Sequence, residues 1–145
     1  MLHITQGQYP DASRYETLTE SYNAWYTGPL QNLNRIIEIN SDPETAAEAL
    51  PYGATNNQIA VARLLRAYYL HWMTDKWGAL PWSEAFQGID APQPAFDSQP
   101  SIYNYLFTEV DAALAQINTT GAGPVGDVIF KGSMSKWASF GNSLK

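Results

Sequence analysis

Residues 55–78 read TNNQIAVARLLRAYYLHWMTDKWG, and the spacing of their apolar side chains decides the fold class. Leu64, Tyr68 and Trp72 recur at steps of four, as do Leu65, Tyr69 and Met73, with Ile59 five residues before Leu64. That places them on one broad face of a helix, whereas a strand would alternate in twos. Thr55 followed by Gln58 has the spacing of a capping box, in which a hydroxyl and an amide each satisfy an orphan backbone N–H. Arg63 and Arg66 fall toward the edges of the stripe, and Gly78 after Lys76-Trp77 reads as the C-terminal stop. Arg63, Arg66, Asp75 and Lys76 could form ion pairs that fix this helix, Arg66 could reach a carboxylate on the preceding helix such as Glu38, or these charges could simply lie on solvated faces.

Working outward, Tyr22, Tyr26, Leu30, Leu33 and Ile37 form another helical face, interrupted by Gly28-Pro29, where a kink is expected. Residues 40–56 read as a connector with one short helical turn at 43–50. Residues 79–97, with Pro81, Pro92 and Pro94, read as a long loop of the kind that serves function or covers another segment. Ser98 is placed to cap a third helix carrying Ile102, Leu106, Val110, Ala113 and Ile117 and ending near Asn118. TTGAGPVGD (119–127) reads as a flexible turn and plain linker, and DVIF (127–130) as a short extended piece. A fourth helix opens at Ser133 or Ser135 with Trp137, Phe140 and Leu144.

Four main helices in consecutive pairs predict an all-α architecture of tetratricopeptide-like helix pairs. The helix spacing exceeds the regular repeat and W-x-x-L-G-x-x-Y is absent, so the pairs are a degenerate version. Residues 1–20 are polar and aperiodic, an irregular lead-in to a single helical domain over 1–145. The last amphipathic pattern reaches Lys145 without a terminator, and the chain reads as cut within a helix.

Eight Lys and Arg against fourteen Asp and Glu give a net charge of -6. The cations are scattered, so nothing in the sequence would neutralise a phosphate backbone, and nucleic acid is not an expected partner. The chain has no cysteine, which removes disulfides, thiolate metal sites and cysteine nucleophiles. Its apolar runs are too short to span a membrane. MLHITQGQYPDASRYE (1–16) lacks the basic start and apolar centre of a signal peptide.

Catalytic chemistry is sparse. His3 lies in the lead-in, and His71 with Asp75 one turn on is read as a packed, hydrogen-bonding pair. Asp75 and Glu84 could in principle be the two carboxylates of a glycosidase, at a separation the sequence does not give. No HExxH, P-loop, GxGxxG, GxSxG or calcium-loop pattern occurs, and no metal or cofactor is expected. Asn118-Thr119-Thr120 matches a glycosylation acceptor and carries no weight.

The five tryptophans are the unusual feature. A saccharide needs a flat apolar plate for its C–H face and donors and acceptors at the rim. Trp77, Trp82 and Phe86, interleaved with Glu84 and Gln87, offer both within one segment. Trp77, Trp82, Glu84 and Gln87 are therefore the candidate ligand-binding residues. Trp25, Trp72 and Trp137 read as core; Trp77 also fits packing against a neighbouring helix, and for Trp82 core and contact surface are both open.

The stretches GPLQNLNRIIEIN (28–40), NQIAVARLLRAYYLHWMTDKWGALPWSEAFQG (57–88), FDSQPSIYNYLFTEVDAALAQI (96–117) and GDVIFKGSMSKWASFGNSLK (126–145) together resemble the SusD/RagB-like family. These are nutrient-binding outer-membrane lipoproteins of Bacteroidetes. The runs Arg66 to Tyr69, Thr74 to Gly78 and Pro81 to Ala85 carry the resemblance most specifically. It implies an all-helical scaffold and a non-catalytic protein held on the cell surface by a lipid anchor that lies outside this chain. It further implies an oligosaccharide or peptide ligand, and a SusC-like TonB-dependent transporter as the partner over which the protein acts as a lid. Family members are longer, so this chain would correspond to an N-terminal-side segment. A tetratricopeptide-like scaffold that binds protein or peptide partners is the alternative.

Overall fold

The computed structural model describes residues 21–145; the lead-in, with His3, lies outside the described residues. The fold is all-α, and its only strands among those residues are a pair of two-residue segments. The first long helical run has three consecutive pieces: α1 (Asn23–Trp25), a π-helical turn (Tyr26–Leu30) and α2 (Gln31–Ser41). Pro29 sits inside the wide turn. The missing N–H and the ring are absorbed by widening one turn, the local form taken by the expected kink. At the far end Asp42 turns extended, and its Oδ1 accepts the Glu44 N–H at 2.9 Å. It thereby caps α3 (Pro43–Ala49), whose proline occupies the first turn. The expected single turn is thus a longer helix, closed by a 3-10 turn at Leu50–Tyr52.

Helix α4 (Thr55–Trp77) is the central rod. Its start departs from the expected capping box: Ala54 is the N-cap and no side chain caps the helix. Gln58 instead reaches back across the preceding turn, donating to the carbonyls of Ala49 (2.9 Å) and Gly53 (2.8 Å). Those carbonyls sit at the end of the α3 segment, where they have no helical N–H to receive, and they compete successfully for the amide. The buried face is also wider than the large residues indicated. Ile59, Leu64 and Met73 are buried, but so are Ala60, Val61, Ala62, Ala67 and Leu70, while Tyr68 is exposed. Small residues let neighbouring helices approach on several sides. Gly78, at φ 77°, ends the helix as expected, its N–H bonded to the Thr74 carbonyl at 2.8 Å.

Ser98 caps α5 (Gln99–Gln116) through its hydroxyl, which accepts the Ser101 N–H. Ile102, Leu106, Val110 and Ala113 are buried as their spacing requires. Gln99 near the start of α5 donates to the Thr74 carbonyl near the end of α4, and Asn57 near the start of α4 meets Asn118 after the end of α5. The two helices are therefore antiparallel. The α2 run pairs with α4 in the same sense, since Tyr26 meets Pro81 at one end and Asn40 meets Gln58 at the other. Helix α6 (Met134–Leu144) closes the fourth place, with Lys145 on Asp111 and Gly141 lodged against Leu114 and Leu64. Leu30, Leu64, Leu70, Met73, Ile102 and Trp137 meet in one core, each burial contributing about 1.5–3 kcal/mol.

The segment between α5 and α6 corrects two expectations. Residues 128–130 form a turn and not an extended piece. Asp127 accepts the N–H groups of Ile129, Phe130 and Gly132, a local bonding choice open to aspartate that outcompetes strand geometry. The glycine-rich run is not a free linker either. Ala54 donates to the Ala122 carbonyl, Val125 donates to that of Tyr52, and a Cβ on Gly123 would lie 2.0 Å from the Gly132 carbonyl oxygen. Fully buried Asn57 ties the same segment down through Asn118 and Ala122. Its glycines serve close backbone approach.

Candidate ligand-binding clefts

Two short strands create the candidate site. β1 (Leu80–Pro81) pairs antiparallel with β2 (Phe96–Asp97), pinching out residues 82–95 as a closed loop. Asp97 Oδ2 accepts the N–H groups of Trp82 (2.9 Å) and Ser83 (2.7 Å), and Glu84 Oε2 accepts that of Ala95 (2.9 Å). Desolvation works to raise the Asp97 pKa, but the hydrogen bonds from Ser83 and Trp82 outweigh it, and the carboxyl is held below its usual range. Asp97 thus stays ionised as the clasp of the loop.

One face of this loop closes over a cleft of about 420 Å³ lined by Asn34 and Glu38 of α2, Arg66 of α4, Trp82, Asp97 and Tyr105 of α5. Arg66 is the hub of its floor: it donates to Asn34 Oδ1 (2.5 Å), to the Tyr105 hydroxyl (2.9 Å) and to Glu109. Glu109, buried at 7% exposure, also lies 3.8 Å from Arg63. Of the readings left open for Arg66, the reach to α2 is the one the structure takes, but it ends on Asn34, one turn short of Glu38, which pairs with Arg35 on its own helix. Burial, with the nearby Arg66 working against it and Glu109 with it, pushes the Tyr105 phenol up to about 12, so it remains a neutral donor and acceptor. The Trp82 ring is half-buried, its centroid 5.7 Å from the Arg66 guanidinium, 5.2 Å from the Tyr105 ring and 5.9 Å from Phe86.

The opposite face of the loop forms a second groove of about 490 Å³ against the first helical run, with Tyr22, Tyr26, Phe86 and Phe96 among its walls. Phe86 lines both spaces and adopts φ 68°, a left-handed conformation rare for a bulky side chain.

The four sequence-predicted ligand residues are not brought together. Trp82 alone among them lines the first cleft. Trp77 lies away from it, edge-on to Tyr22 and Trp72, with the Lys76 ammonium 4.7 Å from its ring centre. Glu84 and Gln87 are exposed on the loop, Glu84 bonded to Ala95 N–H and Gln87 donating to the Ser83 carbonyl at 3.3 Å. Trp137 is core at 1% exposure; Trp25 and Trp72 are partly buried and pack on each other at 4.8 Å. Sequence reasoning missed Asn34, Asp97 and Tyr105, which reach the cleft from three segments of chain and carry no local signal.

His71 Nε2 lies 3.3 Å from Asp75 Oδ2, whose other oxygen accepts the Tyr103 hydroxyl at 2.5 Å. The packed hydrogen-bonding reading of His71 is what the geometry supports. Neither Asp75 nor Glu84 is among the described residues that line these two clefts. Among the described residues no group of His, Asp and Glu is arranged to hold a metal ion, and no helix is long and apolar enough to cross a membrane.

The profile of a family described as starch-binding and associating with the outer membrane matches residues 1–145. The chain belongs to the SusD-like family. A crystal structure of a SusD homologue from Bacteroides fragilis matches this SusD-like chain with a TM-score of 0.67 and 26% identity, over 90% of this chain and 26% of that one. The SusD-like chain thus spans about a quarter of the length of that protein. No curated protein matches. The likeness agrees with the all-α, tetratricopeptide-like architecture expected from the helix pairs.

Proposed function

We propose that this SusD-like chain is part of a non-catalytic outer-membrane protein that captures an oligosaccharide and delivers it to a SusC-like TonB-dependent transporter, held at the cell surface by a lipid anchor outside the chain. The observation that carries this reading is the cleft in which the half-buried Trp82 ring stands beside the polar groups of Asn34, Glu38, Asp97 and Tyr105. An apolar plate with donors and acceptors at its edge is what a pyranose ring requires, and about 420 Å³ lies within the ~300–1,000 Å³ of small-molecule sites. The family's description as starch-binding supports the ligand class.

Trp82 is the principal contact in this proposal. Glu84 and Gln87, exposed on the same loop, meet a longer ligand outside the cleft, and Trp77 is the more distant contact across the β1–β2 pair. In this reading the cleft binds and orients the ligand and releases it unchanged. Calorimetric titration of the chain against oligosaccharides, with chromatography of the recovered ligand, tests this. Binding with intact ligand is expected; hydrolysed ligand, or no binding to any oligosaccharide, would overturn it.

A further inference from the structure

The groove on the far side of the loop differs from the Trp82 cleft in one chemical respect. The Trp82 cleft is lined by three charged side chains, Glu38, Arg66 and Asp97, and its polar hub is already committed to internal hydrogen bonds. Among the described residues, no charged side chain lines the second groove. Its walls are rings: Tyr22 stands edge-on to Tyr26 at 6.0 Å and to Phe96 at 6.2 Å, and Tyr26 is 5.8 Å from Phe86. The Tyr26 hydroxyl donates to the Pro81 carbonyl at 2.6 Å, which fixes that ring, while Phe96 is 60% exposed.

The rim is formed by Asn23, Gln31 and Gln93, all exposed, whose side-chain amides make no hydrogen bond among the described residues. Each amide offers both a donor and an acceptor, as vicinal hydroxyls need. Phe86, with Ala85, forms the wall common to both spaces, and it does so in a left-handed backbone conformation that has an energetic cost for a bulky side chain. That cost is met by ring contacts on both sides, with Tyr26 on one and Trp82 on the other.

We propose that this groove is a second carbohydrate subsite, selective for a neutral sugar, with the C–H face of a pyranose on Tyr22 and Phe96 and its hydroxyls on Gln31, Gln93 and Asn23. The inference rests on the oligosaccharide-binding reading above and adds a place and a selectivity to it. A uronate or sulfated sugar is disfavoured because its charge would be partly desolvated among rings, with no cation among the described lining residues to receive it. With the Trp82 cleft across the Phe86 wall, the loop offers one sugar surface on each side.

The test is calorimetry on the full chain with neutral malto-, cello-, manno- and xylohexaose and with trigalacturonic acid. The proteins compared are the wild type, Phe96→Ala, the double variant Gln31→Ala/Gln93→Ala, and Trp82→Ala. Phe96→Ala is expected to weaken binding of a neutral hexasaccharide about tenfold. The double variant, which alters only exposed side chains, should weaken it severalfold with an unchanged melting midpoint, and trigalacturonic acid should bind at least about tenfold more weakly than the neutral sugar. A neutral sugar lost only with Trp82→Ala, and unaffected by both groove variants, would overturn the second subsite while leaving the proposed function standing. Equal affinity for trigalacturonic acid would overturn the selectivity. Binding of none of the probes would remove the proposed function and this subsite with it.

Discussion

Asp127 accepts the indole N–H of Trp137 at 2.8 Å. The same carboxylate accepts three backbone N–H groups of the turn before α6, so one side chain joins that turn to the most deeply buried large ring of the helix. Desolvation alone would raise its pKa, but the bonds from Gly132, Trp137, Phe130 and Ile129 prevail and hold it below 3.8. A depressed carboxyl contributes stability that is fully present above the unfolded value and is lost as pH falls through the folded one. Asp127→Asn, which presents an NH₂ to some of these donors, is expected to cost about 1–3 kcal/mol at neutral pH. The difference from wild type should narrow below about pH 3.8, as read from urea unfolding at a series of pH values.

Gly123 and Gly28 make opposite predictions. A Cβ on Gly123 would strike the backbone of Gly132, which cannot rotate away, so Gly123→Ala should cost upwards of about 3 kcal/mol or prevent folding. Nothing lies within 4 Å of a Cβ on Gly28, inside the first helical run. Gly28→Ala should stabilise by about 0.5–1 kcal/mol. Thermal melts of the two variants would show shifts of opposite sign.

Asn57 is wholly buried and makes three hydrogen bonds to the 118–122 backbone at 2.8–3.0 Å. Asn57→Ala strands those groups and is expected to cost about 2–4 kcal/mol. Asn57→Asp should be at least as damaging at pH 7, because a carboxylate would face the carbonyls of Asn118 and Ala122. Chemical denaturation at pH 7 separates the two.

Glu109 carries two guanidiniums on one buried carboxylate. Glu109→Ala should cost about 3–5 kcal/mol, since it leaves Arg63 and Arg66 without their counter-charge. Arg35→Ala, in an exposed pair with Glu38, should change stability by roughly 0–0.5 kcal/mol. A comparable loss at both sites, measured in urea, would contradict the burial argument.

Trp82 is neither wholly core nor wholly presented: its half-buried ring packs against the core. Trp82→Ala is expected to lower the melting temperature by roughly 3–8 °C and to weaken oligosaccharide binding. Trp82→Phe, which keeps a ring against Arg66 and Tyr105, should recover most of the stability. A melting temperature unchanged in Trp82→Ala would show that the contacts with Tyr105 and Phe86 contribute nothing to the fold.

The sequence by itself determined the helical class, the order of the four main helices, the Ser98 cap, the Gly78 stop and the inward positions Ile102, Leu106, Val110 and Ala113. These depend on a repeat of 3.6 residues and on bonds spanning a few positions, so neighbouring residues carry the whole signal. Tertiary structure decided the rest. Gln58 bonds carbonyls of the α3 segment instead of a capping-box partner; Glu84 is held by Ala95, eleven residues away; and Asn57 finds its partners 61 and 65 positions downstream. Trp82 meets Arg66 and Tyr105 only because antiparallel α4 and α5 bring those side chains under the loop. A polar side chain's partner is set by whichever unsatisfied group folding delivers to it, and that group is not written in the residues beside it.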